Sequence, residues 1–473
     1  MQHLSKVKYS KFIWPVIIGL AIWLLTPFKP VGIPVAGWHM LAIFVATIIG
    51  CITQPLPIGA TALLGMTVTV LLGIVDIDTA TAGFGNSTVW MIGMAYFLSR
   101  GFIKTGFGRR VALVFIRLFG KRTLGLAYSL IGVDLVTAPA TPSNTARSGG
   151  IVFPIIDSLA HTYKSLPDDE SRRKMGAYLV FSEFHGDIIT SGMFMTAMAP
   201  NLVAATLAKT LHVNIPWMTW FLAGLVPGII CLAIVPWLIY KMYPPEIKET
   251  PNAKEWADSE LEKMGKTSNP EKVMASVFVL ALVLWILSSF IGLDAATVAF
   301  LAVGLLLLTG VLTMNDILHE TGAWNTILWF SILIFMANEL NALGVVPWLS
   351  KSIGSALNGV SWIWVLLVLV LVYFYSHYLF ASGTAHVSAM YSALLGVAIS
   401  AGAPALLSAI ILGFTGAIFG STTHFANGPA TVLFGSGYVK QADWWKMNAI
   451  LGLFYLVVWI GIGGLWMKVI GIW

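Results

Sequence analysis

Thr141-Pro142-Ser143-Asn144-Thr145-Ala146-Arg147-Ser148-Gly149-Gly150 interrupts an apolar stretch that otherwise runs from residue 123 to residue 160. A proline, a cluster of small polar side chains and an arginine in mid-run do not fit one continuous membrane helix. The break has a counterpart. Ser382-Gly383-Thr384-Ala385-His386 interrupts a second apolar stretch, 361–400, and Ser382 follows Ser143 by 239 residues. Asn325 and Trp329 follow Asn86 and Trp90 by the same 239 residues. Thr422, Asn427 and Ala430 follow Thr196, Asn201 and Ala204 at a separation of 226. Two motifs in one register over more than fifty residues mark an internal repeat. Five expected crossings separate the two breaks, so the second copy is inverted relative to the first. Inverted repeats with interrupted helices in matching places are the mark of secondary transporters, with the binding site where the breaks meet.

The rest of the chain agrees with a membrane class. Of 473 residues, 58% are hydrophobic and 10% charged, against about 25% charged in soluble chains. Apolar runs near the roughly 20 residues needed to cross a bilayer recur along the whole length. The net charge of +6 does not point to nucleic acid, because the basic residues flank apolar runs as topology signals do. Membrane lipid is the expected surrounding. Cys51 and Cys231 are too few for a disulfide framework. The expectation is an all-α polytopic membrane protein with about 11 transmembrane helices plus two re-entrant hairpins. An N-terminal helix occupies 1–36. The first inverted repeat is 37–241, with hairpin 123–160 and a broken helix at 174–208. A polar cytoplasmic linker follows at 242–271. The second repeat is 272–473, with hairpin 361–400 and a broken helix at 404–435.

Lys6, Lys8 and Lys11 precede the first apolar run, and Pro30 and Pro34 follow it where a signal peptide would carry a small-residue cleavage site, so a retained helix is expected. Residues 106–120 place Arg109, Arg110 and Arg117 among Val, Leu and Phe, the pattern of a helix lying along the membrane surface. With the N-terminus in the cytoplasm, the basic clusters around 104–122, 164–174, 248–272 and 440–446 fall inside. Only Lys29, Lys209, Lys351 and Lys468 fall outside. A multi-pass protein of a plasma (inner) membrane with a cytoplasmic N-terminus is expected.

Ser143, Asn144 and Thr145 at one tip, and Ser382 and Thr384 at the other, supply hydroxyl and amide groups. Each tip starts a helix, whose free N–H groups and positive dipole end attract carboxylate oxygens. Asn201 and Asn427 sit in the broken middles of their helices, and His424 lies three residues before Asn427. Arg147 and His386 each stand four residues after the mirrored serine. An intramembrane arginine costs about 2.5–3.5 kcal/mol even on a lenient scale, so it needs a cavity or a partner, Asp134 or Asp157 being the partners in reach. Read functionally, Arg147 and a protonated His386 are fixed counter-charges to an anionic substrate. An empty carrier would then hold an unpaired buried cation and could not cross, which gives obligate exchange. Glu183, His185, Asp187 and His377 lack metal-ligand spacing such as His-Glu-x-x-His. No metal, cofactor or catalytic constellation is expected, and the protein is not read as an enzyme.

The stretch 141–150 resembles the first hairpin motif of the divalent anion:sodium symporter family, and the likeness extends over essentially the whole chain. It is most similar to the branch of plastid 2-oxoglutarate/malate translocators and bacterial citrate/succinate antiporters. The resemblance implies a homodimer of scaffold and transport domains, an elevator motion and dicarboxylate substrates. It also implies that Ser143, Asn144 and Thr145 form the inner tip, and Ser382, Gly383 and Thr384 the outer one. Sodium-coupled members carry Asn where Gly383 stands, and Thr-Pro-Pro-Asn in the broken helices. Here those helices read Met198-Ala199-Pro200-Asn201 and His424-Phe425-Ala426-Asn427. The departures point to sodium-independent exchange of substrates such as 2-oxoglutarate, malate, succinate and fumarate, with a sodium-coupled dicarboxylate or citrate symporter of the same fold as the alternative.

Overall fold

The computed structural model describes residues 9–356 and 359–473; Lys6 and Lys8, on which part of the topology rests, lie outside them. Among the described residues all regular elements are helical. Among the described residues, seven helices are long and apolar enough to span a membrane, and four shorter apolar helices accompany them.

The first helices are α1 (Ile13–Leu24), α2 (Val35–Thr53), α3 (Ile58–Leu71) and α4 (Ser87–Thr105). Asn86 starts α4 by accepting the amide protons of Thr88 and Val89, the usual work of an N-cap. Gly106 ends it in the left-handed region at φ 73°, where a Cβ would be strained. α5 (Phe107–Phe119) follows, then α6 (Thr123–Thr137). After the first break come a π-type segment, Ala146–Val152, and α7 (Phe153–Thr162). α8 (Gly176–Met193) and α9 (Ala199–Thr210) are the two halves of the first broken helix, and α10 (Trp217–Met242) completes the first half of the chain. The break falls at 194–198, just ahead of Pro200. Proline suits the first turn of a helix because the amide it lacks has no partner there.

The expected linker is not structureless. It holds α11 (Ala253–Met264), and then α12 (Asn269–Ile291) starts with a capping box between Ser268 and Glu271. Next come α13 (Ala295–Leu308), α14 (Thr321–Ala342) and α15 (Val345–Ala356). The second hairpin is α16 (Trp362–Ser376) and α17 (Gly383–Ser400), and the second broken helix is α18 (Ala405–Ile418) and α19 (Gly428–Gly435). α20 (Gln441–Tyr455) continues through a π-type segment into α21 (Gly463–Val469). Asn325, matched above to Asn86, sits inside α14 rather than at its start.

Packing gathers the helices into two groups. α2, α3, α4, α12, α13 and α14 pack with one another, while α8 is surrounded by α6, α10 and α18. All residues of α8, Gly176 to Met193, are buried, so this helix is the axis of the second group.

A correction concerns α5. Its apolar residues Ala112, Leu113 and Ile116 are buried, as amphipathicity requires. Its arginines, however, meet the linker. Arg109 pairs with Glu260 at 2.7 Å, Arg110 with Glu271 at 2.5 Å and Arg117 with Asp258 at 2.9 Å. Residues 246–250 tie the same region together: the Thr123 and Glu246 amides donate to the Lys248 and Arg173 carbonyls, and the Thr250 amide to Lys121. Nearby, Asp316 is held down to about 2 by the hydrogen bond from Lys104 and then by Thr313, which favours its ionised carboxylate. Arg110–Glu271 is the least exposed of the three pairs and shares its carboxylate with the capping box. Glu271→Ala is expected to lower stability by roughly 1.5–3 kcal/mol, read as a drop in melting temperature of the purified protein. An unchanged melting temperature would show this clasp to be energetically idle.

Candidate functional site

The two tips are built alike. The Ser143 hydroxyl accepts the Ala146 amide proton at 3.2 Å, and the Ser382 hydroxyl accepts that of Ala385 at 3.3 Å. Each serine uses a lone pair to cap its helix and keeps its own O–H to donate outward. The asparagines of the broken helices also correspond. Asn201 Nδ2 donates to the Phe194 carbonyl at 3.0 Å, and Asn427 Nδ2 to that of Gly420 at 3.5 Å, seven residues earlier in both cases. They differ in one respect. Asn427 caps α19 through the Ala430 amide at 2.8 Å, whereas Asn201 lies within the first turn of α9 and Met198 stands at the cap. Aligned by helix starts, Met198 rather than Asn201 is the counterpart of Asn427.

The tips face one cavity of about 170 Å³. Ser143, Asn144 and Thr145 line it from one side and Ser382, Gly383 and Thr384 from the other, with Asn427 completing the ring. A larger cavity of about 510 Å³, which holds Lys209 and Asp294, shares none of these residues. Four residues expected at the site are not on the cavity wall: Arg147, Asn201, His386 and His424. His424 Nδ1 instead accepts from the Trp445 indole at 3.0 Å.

Arg147 requires the fullest correction. It is completely buried and spends all five of its N–H donors on the protein. Nε donates to Asp134 at 2.9 Å, and Nη2 to Asp187 at 2.9 Å and Ser191 at 2.8 Å. Nη1 donates to the Thr141 carbonyl at 2.6 Å and to that of Ala197. A guanidinium has five donors and no more, so none remains for a ligand. Of the two partners weighed from the sequence, Asp134 is present, and Asp157 instead accepts from Tyr438 at 2.9 Å. Arg147 therefore clamps the first tip (Thr141) to α6 (Asp134), α8 (Asp187) and the break before α9 (Ala197). An empty cavity does not leave it unpaired.

His386 is also buried. Its ring lies behind the second tip, with His377 Nδ1 at 2.9 Å from its Nδ1 and the Ser376 hydroxyl 3.0 Å from its Nε2. His185 bridges α8 to α20 through Tyr455 at 2.9 Å and Asn448 at 3.1 Å, a structural use of a residue that the sequence left unassigned.

Among the wall residues that sequence reasoning missed, two stand out. Tyr96 on α4 lines the cavity, and its hydroxyl lies against those of Ser143 and Thr326. It is the contribution of the other packing group to the wall, and a single tyrosine in an apolar helix gives no sequence signal. Gly428 also lines the cavity. A Cβ there would stand 1.9 Å from Thr145 Oγ1. The Asn427-Gly428-Pro429 break was visible, but its contact with the first tip was not.

Mirrored, serine-capped helix starts converging on a small polar cavity inside a bundle of apolar helices define a membrane carrier. The chain belongs to the divalent anion:sodium symporter family, since the family described as sodium:sulfate symporter transmembrane region matches residues 6–473. It is 50% identical over 470 residues to the putative malate transporter YflS of Bacillus subtilis, covering 99% of this chain and 98% of that one. It is 43% identical over 461 residues to the chloroplastic dicarboxylate transporter 1 of Spinacia oleracea, covering 97% and 81%. It is 35% identical over 485 positions to the L-tartrate/succinate antiporter of Escherichia coli O157:H7, covering 98% and 99%. The fold is similar to that of the Alcanivorax borkumensis YdaH transporter, with a TM-score of 0.58, 13% identity and 97% of each chain covered.

Proposed function

We propose that this protein exchanges four- and five-carbon dicarboxylates, such as 2-oxoglutarate, malate, succinate and fumarate, across a plasma membrane. The observation that carries the reading is the single cavity walled by two equivalent helix starts. Two carboxylates of one small molecule match two donor-rich tips, each offering a helix dipole and a serine O–H. At about 170 Å³ the space is below the roughly 300–1,000 Å³ of drug-sized sites. The names of the relatives, a putative malate transporter, dicarboxylate transporters and a tartrate/succinate antiporter, agree with that chemistry.

Sodium independence is part of the proposal. The Arg147 guanidinium occupies the oxygens of Asp134, Thr141, Asp187, Ser191 and Ala197. Those groups between tip and broken helix are what a mobile cation would use, and a fixed one is already there. The proposed cycle is an elevator: the group around α8 moves with the cavity against the group holding α4, in a homodimer.

The test is uptake of labelled 2-oxoglutarate into proteoliposomes in sodium-free buffer. Uptake that needs internal malate and ignores added sodium is the expected result. Uptake into empty vesicles driven by a sodium gradient would replace exchange by symport. Tyr96→Phe removes one hydroxyl from the wall. It is expected to weaken apparent affinity about fivefold, the equivalent of about 1 kcal/mol, with maximal rate little changed; an unaltered affinity would exclude a substrate contact from α4.

A further inference from the structure

We propose that Arg100 is an entry residue for the substrate: from the group that stays in place, it pairs with a carboxylate of the dianion in the mouth of the cavity on the Lys104 side. The inference rests on the dicarboxylate reading and deepens it, because it names a residue outside the two tips that favours substrate in one orientation of the carrier.

One cation in this region lacks a partner. Arg100, Lys104, Arg109, Arg110 and Arg117 follow one another along α4 and α5. Lys104 pairs with Asp316 at 2.6 Å, and the last three form the clasp with the linker. Among the described residues, Arg100 makes no hydrogen bond and closes no salt bridge, and it is exposed. Glu320, just ahead of α14, is near enough to feel its charge. An arginine within a membrane helix is costly, and it turns to a partner or to a water-filled cavity.

Its place on the helix decides between the two. Tyr96, Arg100 and Ile103 stand at i, i+4 and i+7, along one stripe of α4. Tyr96 lines the cavity between the tips. Ile103 lines a separate space of about 370 Å³, walled on its far side by Gly150, Ile151 and Pro154 of the first hairpin. Arg100 therefore stands between the two spaces, on the side of α4 turned to that hairpin. Glu320 belongs to the same corner, since a Cβ on Gly322 would lie 3.1 Å from Glu320 Oε1 and 3.3 Å from the Tyr96 ring. The larger space is the approach and the smaller one the site.

Four residues of helix rise about 6 Å, inside the screening length of about 10 Å at 0.1 M salt. A dianion at the level of Tyr96 thus feels the Arg100 charge, and one in the approach meets the planar guanidinium fork that suits a carboxylate. Glu320 moderates the attraction, because its own negative charge offsets part of it, so that the anion is drawn in and not trapped. When the cavity moves with the group around α8, Arg100 stays behind on α4. The attraction then belongs to one orientation alone and lowers KM on one side of the membrane.

The experiment measures exchange of labelled L-malate by the full chain in right-side-out and inside-out vesicles, at low and at physiological salt. Arg100→Gln is expected to raise KM about three- to fivefold on the Lys104 side, the worth of one exposed ion pair. The kcat and the KM on the other side should change little. Salt should raise the KM of the unmodified protein on the Lys104 side, and Arg100→Gln should lose most of that dependence. Arg100→Lys keeps the charge and is expected to restore part of the affinity, while Glu320→Gln removes the opposing charge and is expected to lower KM there. An unchanged KM and salt response in Arg100→Gln overturns the entry residue and leaves the dicarboxylate reading standing. So does an equal rise of KM on both sides, or an equal loss of exchange in Arg100→Gln and Arg100→Lys, the mark of a structural role. If the unmodified chain carries neither malate nor succinate nor 2-oxoglutarate, the dicarboxylate reading falls and the entry residue with it.

Discussion

Arg147→Ala is expected to abolish transport and to destabilise the protein by about 3–5 kcal/mol, the usual cost of removing one partner from a buried ion pair. The variant leaves Asp134 and Asp187 facing each other without their shared cation, and it frees two carbonyls and a serine in a fully buried place. From the sequence alone the same substitution reads as a loss of substrate binding with the fold intact. The structure changes that expectation, because the side chain does not line the cavity between the tips. Melting temperature and exchange should fall together. Arg147→Lys should also fail, since three donors cannot serve five acceptors. An Arg147→Ala protein that melts like the original and still exchanges would remove this cluster from the mechanism.

Gly428→Ala is expected to reduce transport at least tenfold while leaving the helices assembled. The added methyl would meet Thr145 Oγ1 at 1.9 Å, with the rest of that side chain at 3.0 Å and beyond. Such an approach cannot be absorbed without moving the first tip. Adding Thr145→Ala removes the nearest atom and should restore part of the activity, because the Thr145 Cβ at 3.0 Å still has to give way. Normal exchange by the single variant would show that the tip and the second broken helix move independently.

Much of this was legible before any coordinates. Polar residues inside apolar runs are a strong signal, so both tips and both broken helices could be placed from Ser143, Ser382, Asn201 and Asn427. What could not be read was direction. Whether Arg147 points into the cavity or behind it depends on Asp187, forty residues away and on a helix whose acids had no assigned use. His386 is similar: its partner His377 is nine residues off, across a turn whose shape the sequence does not state. The clasp on α5 escaped for a further reason. Three arginines on an amphipathic helix suit a lipid surface and an acidic helix equally, and the choice lay in the fold of residues 253–264.

The partners of Arg147 also have an order in time. All of them, Asp134, Thr141, Asp187, Ser191 and Ala197, lie before residue 198. Chains leave the ribosome N-terminus first at roughly 5–20 residues per second. The arginine can therefore be neutralised while the second half of the molecule is still unmade. The first tip is different: Gly428, against which Thr145 is shaped, is translated 283 residues later. The nascent protein would thus settle its most hazardous charge early and finish its binding surface last.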